Sequence, residues 1–147
     1  MKSLTLEIES ELNHISLLAV AIHAICVHAG LDRDEASQVE LSLVEAVTNS
    51  IIHAYHGDPD QRVVVILALD KEHLRFDLYD TGTTMQVEQV DRLVRGRGIN
   101  ESESLDLASI PESGRGLEII HRTMDEIVYR REGDRNHLQL RRYLRAE

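Results

Sequence analysis

The sequence predicts an α+β fold: a two-layer sandwich in which helices cover one face of a mostly antiparallel sheet. Three observations predict it. Two pairs of β-type runs are each joined by a short polar segment, Asp70-Lys71-Glu72-His73 and Gly133-Asp134-Arg135-Asn136, the pattern of hairpins and hence of antiparallel strands. Two longer stretches repeat apolar residues at helical steps. The chain has 147 residues, 42% hydrophobic and 29% charged, so it can bury a real core and is read as one domain, residues 1–147.

The elements follow in order. Leu4, Leu6 and Ile8 alternate with Thr5 and Glu7, as in a half-buried opening strand. Leu12, Ile15, Ala19, Ile22 and Cys26 recur at steps of three and four, a helix over Ser10 to Ala29 that Gly30 stops. Asp32 with Glu35 reads as a capping box opening a second helix to about Tyr55, where Gly57-Asp58-Pro59 breaks it. At ~1.5 Å per residue that helix is about 35 Å long. Arg62 to Leu69 and Leu74 to Tyr79 form the first hairpin. Thr81 to Ser113 carries weak periodicity and many Gly, Ser, Arg and Glu residues, a stretch long enough to act as a lid, placed at about 83–113. A third helix runs from around Gly116 to about Asp125, and Ile127 to Glu132 with His137 to Leu144 close the chain. There is no internal repeat and no low-complexity segment.

Composition excludes several classes. Aromatic residues are 3% with no Trp, so the core is aliphatic. A single cysteine excludes a disulfide framework and a Cys-based metal site, and the eight histidines form no H-E-x-x-H pair. No apolar run reaches a membrane span, and Met1-Lys2-Ser3-Leu4-Thr5-Leu6-Glu7 lacks a signal h-region, so a cytoplasmic, reducing location is expected. The net charge of −10 argues against nonspecific nucleic-acid or anionic-membrane binding. Residues 1–91 hold five Lys and Arg against sixteen Asp and Glu, so the acidic face is N-terminal.

Three constellations carry possible chemistry. On a wheel of the second helix, Ala36, Leu43, Val47, Ser50, Ile51 and Ala54 face the sheet, while Gln38, Ser42, Glu45, Asn49 and His53 form the opposite stripe. That stripe is either a solvated polar face or a carboxylate and a carboxamide aimed into a pocket, suited to a general base and to a hard cation. Asp80-Thr81-Gly82 ends a strand: a turn, or a carboxylate accepting a hydrogen bond from a ligand amine beside a close backbone approach. Ser113-Gly114-Arg115-Gly116-Leu117 is a glycine loop opening a helix, where free N–H groups suit a phosphate. Cys26 reads as an inert core thiol, and Arg130, Arg131, Arg135, Arg141, Arg142 and Arg145 as outward decoration. Arg95 and Arg97, in the lid, are the better candidates for polyphosphate contact.

Taken together, the run from Glu45-Ala46-Val47-Thr48-Asn49 to His53-Ala54-Tyr55, then Asp80-x-Gly82, then Gly114-x-Gly116-Leu117 resembles the N box and two glycine boxes of the GHKL (Bergerat-fold) ATPases. The similar branch is that of the anti-sigma-factor serine/threonine kinases of the RsbW/SpoIIAB type. The resemblance covers nearly the whole chain. It implies that Asn49 coordinates Mg²⁺ bridging the ATP phosphates, with His53 beside it in the N box. Asp80 receives the adenine amino group and Gly82 shapes the base pocket. Gly114, Arg115, Gly116 and Leu117 hold the phosphates under the lid, and Glu45 is the general base. The implied partners are a STAS-domain anti-anti-sigma factor as substrate and a sigma factor that is sequestered, with a homodimer as the assembly.

The chain departs from the family pattern in three places. Gly82 is followed by Thr83-Thr84-Met85, Gly133-Asp134-Arg135-Asn136 stands where wider relatives have a Gly-Thr box, and the first helix has no Arg or Lys. The expected function is Mg-ATP-dependent phosphorylation of a Ser or Thr on a regulatory protein in a partner-switching pathway. The alternative is a catalytically weak or inactive module that sequesters its partner. A histidine-kinase catalytic domain is the third reading, and no phospho-accepting dimerisation helix precedes the domain in this sequence.

Overall fold

A computed structural model describes residues 1–96 and 112–145. Its five strands are β1 (Lys2–Glu9), β2 (Arg62–Leu69), β3 (His73–Asp80), β4 (Glu126–Glu132) and β5 (Arg135–Tyr143). They form one sheet in the order β1-β2-β3-β5-β4, and every neighbouring pair is antiparallel. The helices are α1 (Ile15–His28), α2 (Arg33–Asn49), α3 (Val87–Arg95) and α4 (Glu112–Thr123). The α+β architecture expected from the sequence is the one observed.

Register explains the layering. Leu6, Val65, Leu78, Leu138 and Tyr129 face one another in a continuous row across all five strands. Because side chains alternate along a strand, this parity sends Val63, Val65, Leu74, Phe76 and Leu140 to the helix side, where all are fully buried. Ile22 of α1 and Val39, Leu43 and Val47 of α2 meet them. The core is aliphatic apart from Phe76 and Tyr55, as the composition requires.

The caps behave as expected. Glu35 N–H donates to Asp32 Oδ1 at 2.8 Å and Asp32 N–H donates to Glu35 Oε2 at 3.2 Å, a complete capping box on α2. In the first hairpin Asp70 Oδ1 accepts from the N–H groups of Glu72 and His73 at 2.8 and 2.9 Å, which closes the turn.

Four expectations are corrected. The second helix is α-helical only to Asn49; Ser50–Ala54 forms a π-helical turn, with Tyr55 N–H donating to Ser50 O at 2.9 Å. The stretch read as an aperiodic lid contains α3, while 97–111 of it, Arg97 included, lie outside the described residues. The last helix begins at Glu112, so Gly114 and Gly116 sit in its opening turns and not in a loop ahead of it. Ser42, assigned to the polar stripe, is fully buried, its hydroxyl donating to Gln38 O at 3.0 Å. The cause is packing: α2 is flanked by both α1 and α4, so the side away from the sheet is not uniformly solvated.

Candidate functional site

The π turn positions the site. Winding at five residues per hydrogen bond widens the end of α2 and turns the Ala54 carbonyl toward the chain leaving β3, where it accepts from Thr83 N–H at 2.9 Å. A Cβ on Gly82 would stand 2.4 Å from Ala54 O and 2.5 Å from Ala54 C, so only glycine allows this approach. Ser50, in the same turn, donates from its hydroxyl to Asp80 Oδ2 at 2.9 Å. Tyr55 secures the base of the turn: its hydroxyl donates to Arg62 O at 2.6 Å and accepts from Thr81 N–H at 2.8 Å.

The result is a cavity of about 360 Å³. Leu78, Met85, Leu93, Leu117, Ile120 and Leu138 give it apolar walls, and Asn49, Ser50, His53, Asp80, Gln89, Arg92 and Asn136 supply a comparable share of polar groups. A hollow in which apolar walls meet converging polar groups is the form of a small-molecule site.

Asp80 is held from three sides. Besides Ser50, its Oδ1 accepts from Gly82 N–H at 3.0 Å and from Asn136 Nδ2 at 2.7 Å. A carboxylate offers about four lone-pair sites, so Asp80 keeps one for a ligand donor. Asn49, which lines the cavity, makes no side-chain hydrogen bond to another described residue. Glu45 lies one turn earlier on α2 and is half-buried; a Cβ on Gly116 would come within 2.5 Å of its Oε2, so α4 closes directly over the carboxylate. Burial pushes the Glu45 carboxyl above the ordinary glutamate range. Cys26 is buried, its thiol pushed up to about 12 by burial and then by Glu40, which makes it the inert core thiol expected.

Of the residues singled out from the sequence, Asn49, His53, Asp80 and Leu117 line this one cavity. Glu45 and Gly116 meet beside it, and Gly82 sits behind its wall. Arg95 does not line it; the side chain is 79% exposed and pairs with Asp91 at 3.4 Å. The cation that α3 does bring to the wall is Arg92, the single Lys or Arg among the described lining residues.

With the geometry in place, the comparisons with known proteins decide the family. A family model described as the histidine kinase-like ATPase domain matches residues 8–142. The chain belongs to that family. Among its relatives, the serine-protein kinase RsbW of Listeria monocytogenes serovar 1/2a is 25% identical over 131 residues, 88% of this chain and 81% of that one. The anti-sigma F factor of Oceanobacillus iheyensis is 29% identical over 111 residues, 74% and 68% of the two chains. A crystal structure of the RsbU and RsbW domains of a Mycobacterium tuberculosis protein superposes with a TM-score of 0.64 at 15% identity. It covers 99% of this chain, which spans 34% of the solved one, and establishes likeness of fold. The resemblance to the GHKL ATPases drawn from the N box and glycine boxes is therefore correct.

The sequence does not announce a second set of residues at or behind the cavity wall. Gln89 and Arg92 were hidden because α3 was read as lid. The spacing Val87-x-x-Val90-x-x-Leu93 and the pair Asp91–Arg95 could have revealed it. Tyr129, Arg131 and Asn136 were also missed, and Arg131 had been assigned to outward decoration. Its Nη1 instead donates to Gly82 O at 3.0 Å and to Asn136 Oδ1 at 3.1 Å. Arg142, assigned likewise, is only 19% exposed and donates to Thr123 O at 2.8 Å.

Proposed function

We propose that this chain is a Mg-ATP-dependent serine/threonine protein kinase acting as an anti-sigma factor in the cytoplasm. Its substrate is a STAS-domain anti-anti-sigma partner and its second partner a sigma factor. The observation that carries the reading is the meeting of Asn49 and Asp80 on one cavity wall, with Glu45 one helical turn from Asn49. The names of the relatives support the kinase and anti-sigma parts.

The residues fit the ligands. Asp80 keeps an acceptor site for the amino group of adenine, and the apolar walls accept the ring face. Among the described residues no cluster of three or more His, Cys, Asp or Glu could cage a metal alone. That suits Mg²⁺, which is commonly held by one or two protein oxygens together with substrate phosphates, and Asn49 offers such an oxygen. When bound, Mg²⁺ supplies charge neutralisation between the phosphates. Arg92 adds a cation at the wall of a chain that is otherwise acidic.

In the transfer, Glu45 accepts the proton of the partner's Ser or Thr hydroxyl. The hydroxyl oxygen forms a bond to the γ-phosphorus as the bond from that phosphorus to the β–γ bridging oxygen breaks, and ADP leaves with that oxygen. Gly114, Arg115 and Gly116, in the opening turns of α4, lie where helix N–H groups favour phosphate. Arg95, at the end of α3, stays a candidate for polyphosphate contact in this reading, and Arg97 lies outside the described residues. A homodimer is supported by α1, whose Leu17, Val20 and Val27 are exposed along one stripe. The net charge of −10 supports the expectation of no direct nucleic-acid or membrane partner.

Thermal unfolding with and without Mg-ATP tests the nucleotide site. Ligand at ~100 times its dissociation constant adds about 2.7 kcal/mol of stability. A Mg-dependent rise in Tm, lost in Asn49→Ala, is the expected result; no rise at millimolar Mg-ATP overturns it. One observation favours a second reading, a module that only sequesters its partner: Glu45 itself does not line the cavity. The partner's mass after incubation with Mg-ATP separates the two, since sequestration alone leaves it unchanged.

A further inference from the structure

Asn136 opens β5 beside the end of β3 and is 2% exposed, yet nothing in the transfer chemistry uses it. Its amide is saturated. Nδ2 donates to Asp80 Oδ1 at 2.7 Å and to Gly82 O at 3.1 Å. Oδ1 accepts from Thr84 Oγ1 at 3.0 Å and from Arg131 Nη1 at 3.1 Å. Two donors and two acceptor sites are the whole capacity of a carboxamide, and each has a protein partner. The orientation is fixed too: a flipped amide would set its oxygen against the Asp80 carboxylate and the Gly82 carbonyl, both acceptors.

Apart from Arg131 of β4, the partners of Asn136 belong to one stretch of wall. Asp80 ends β3, and Gly82 to Thr84 lead from it toward α3. Met85 N–H continues the attachment by donating to the Tyr129 hydroxyl at 2.9 Å. The β4–β5 hairpin thus holds the chain from Asp80 to Met85 through side chains, while the π turn holds it from the other side through Ala54 O. A carboxylate held by a buried, saturated amide cannot rotate without breaking a hydrogen bond to a charged group, which is among the stronger kinds.

We propose that Asn136 is a positioning residue for the base of an adenine nucleotide, acting through Asp80 and the Gly82–Thr84 backbone with Thr84 and Arg131 as its supports. This rests on the reading of the cavity as a nucleotide site. Preorganised acceptors bind without first reordering, so Asn136 contributes affinity at the base end while touching no phosphate.

Calorimetric titration of ATP and adenosine into wild type, Asn136→Ala, Thr84→Val, the double variant and Asn49→Ala tests this. Asn136→Ala is expected to weaken ATP and adenosine by the same factor, about tenfold for one hydrogen bond to a charged group. Asn49→Ala should weaken ATP and spare adenosine. The Thr84→Val change should cost little once Asn136 is already Ala, because the two share one hydrogen bond. A residue that merely stiffens the fold would lower Tm and leave both affinities at their wild-type values. Unchanged affinity in Asn136→Ala overturns the proposal, and so does a loss confined to ATP. If Asn136→Ala does not fold, Thr84→Val carries the test, because Thr84 is an exposed residue outside the core: a matched loss of about threefold is expected, and none overturns the proposal. Wild type binding neither ligand overturns the nucleotide reading itself.

Discussion

The two ends of the cavity are built on opposite plans. Around Asp80 the hydrogen-bonding groups are largely matched within the protein: Ser50, Gly82 and Asn136 donate to the carboxylate, and Thr84 and Arg131 donate to Asn136. On α2, Asn49 has no side-chain partner among the described residues, and Glu45 is partly desolvated with burial as the cause of its shift. The first region is already in its working geometry. The second holds polar groups without a side-chain partner among the described residues, and this is where the proposed function expects the reaction chemistry. On the proposed reading orientation is set by one end and reactivity by the other, and each end should break in its own way.

The largest effect is expected at the reactive end. Glu45→Ala removes the proposed general base, a role that typically contributes ~10²–10⁴-fold. Phosphotransfer to the partner should fall by that order in a radiolabel assay, while Mg-ATP still raises Tm. Undiminished transfer would take the base role away from Glu45.

The preorganised end should fail through its backbone. A methyl at position 82 meets the Ala54 carbonyl oxygen and carbon at 2.4 and 2.5 Å, atoms that cannot swing aside. Gly82→Ala is expected to cost about 1–3 kcal/mol, the usual price of overpacking, at about 2–4 °C in Tm for each kcal/mol. Nucleotide affinity should fall with it, because Gly82 N–H and O both belong to the Asp80 network. A Tm matching wild type would mean the approach is looser than drawn.

The same contrast explains which parts could be read from sequence. Features set by local pattern were legible: the capping box of Asp32 and Glu35, the Asp70 turn, the strand alternation, and the apolar face of α2. Asn49, His53 and Asp80 were legible as candidates because helical spacing and a strand end place them, and all three line the one cavity. The Asp80 network was not, because it depends on β5 inserting between β3 and β4. Nothing near Arg131 or Asn136 in the chain announces that Gly82 and Thr84 are their neighbours. Gly133-Asp134-Arg135-Asn136 and Thr83-Thr84-Met85 looked like two unrelated departures from the family pattern. The fold joins them in the bond from Thr84 to Asn136. The π turn was missed for another reason: the apolar period of Ser50 to Ala54 suits α and π winding alike.

A subtler change sharpens the contrast at the reactive end. In Gly116→Ala the new Cβ meets Glu45 Oε2 at 2.5 Å, the far end of a flexible side chain that can move. Ala is better than Gly inside a helix by roughly 0.5–1 kcal/mol, so stability should hold or rise slightly. Phosphotransfer should drop about tenfold as the carboxylate is displaced, with ATP affinity intact. A drop in Tm alongside the activity would assign Gly116 to packing and not to Glu45.

The smallest expected effect is one of pH, and it comes from Glu45 alone. Burial raises its carboxyl in the folded protein, so the fold holds that proton more tightly than the unfolded chain does. The sign follows from linkage. The contribution of Glu45 to stability is fully present below the unfolded value of about 4.3 and is lost as pH rises through the folded one, so above both values its buried charge is a fixed cost. Glu45→Gln removes the charge and keeps the shape. Measured by urea midpoint, this variant should equal wild type in acid and exceed it at neutral pH, the gap opening just above the ordinary glutamate range. A gap that stays constant with pH would show that the carboxylate is effectively solvated. The proton it takes would then be drawn by an ordinary glutamate, and the acid limb of phosphotransfer would fall in the ordinary range instead of above it.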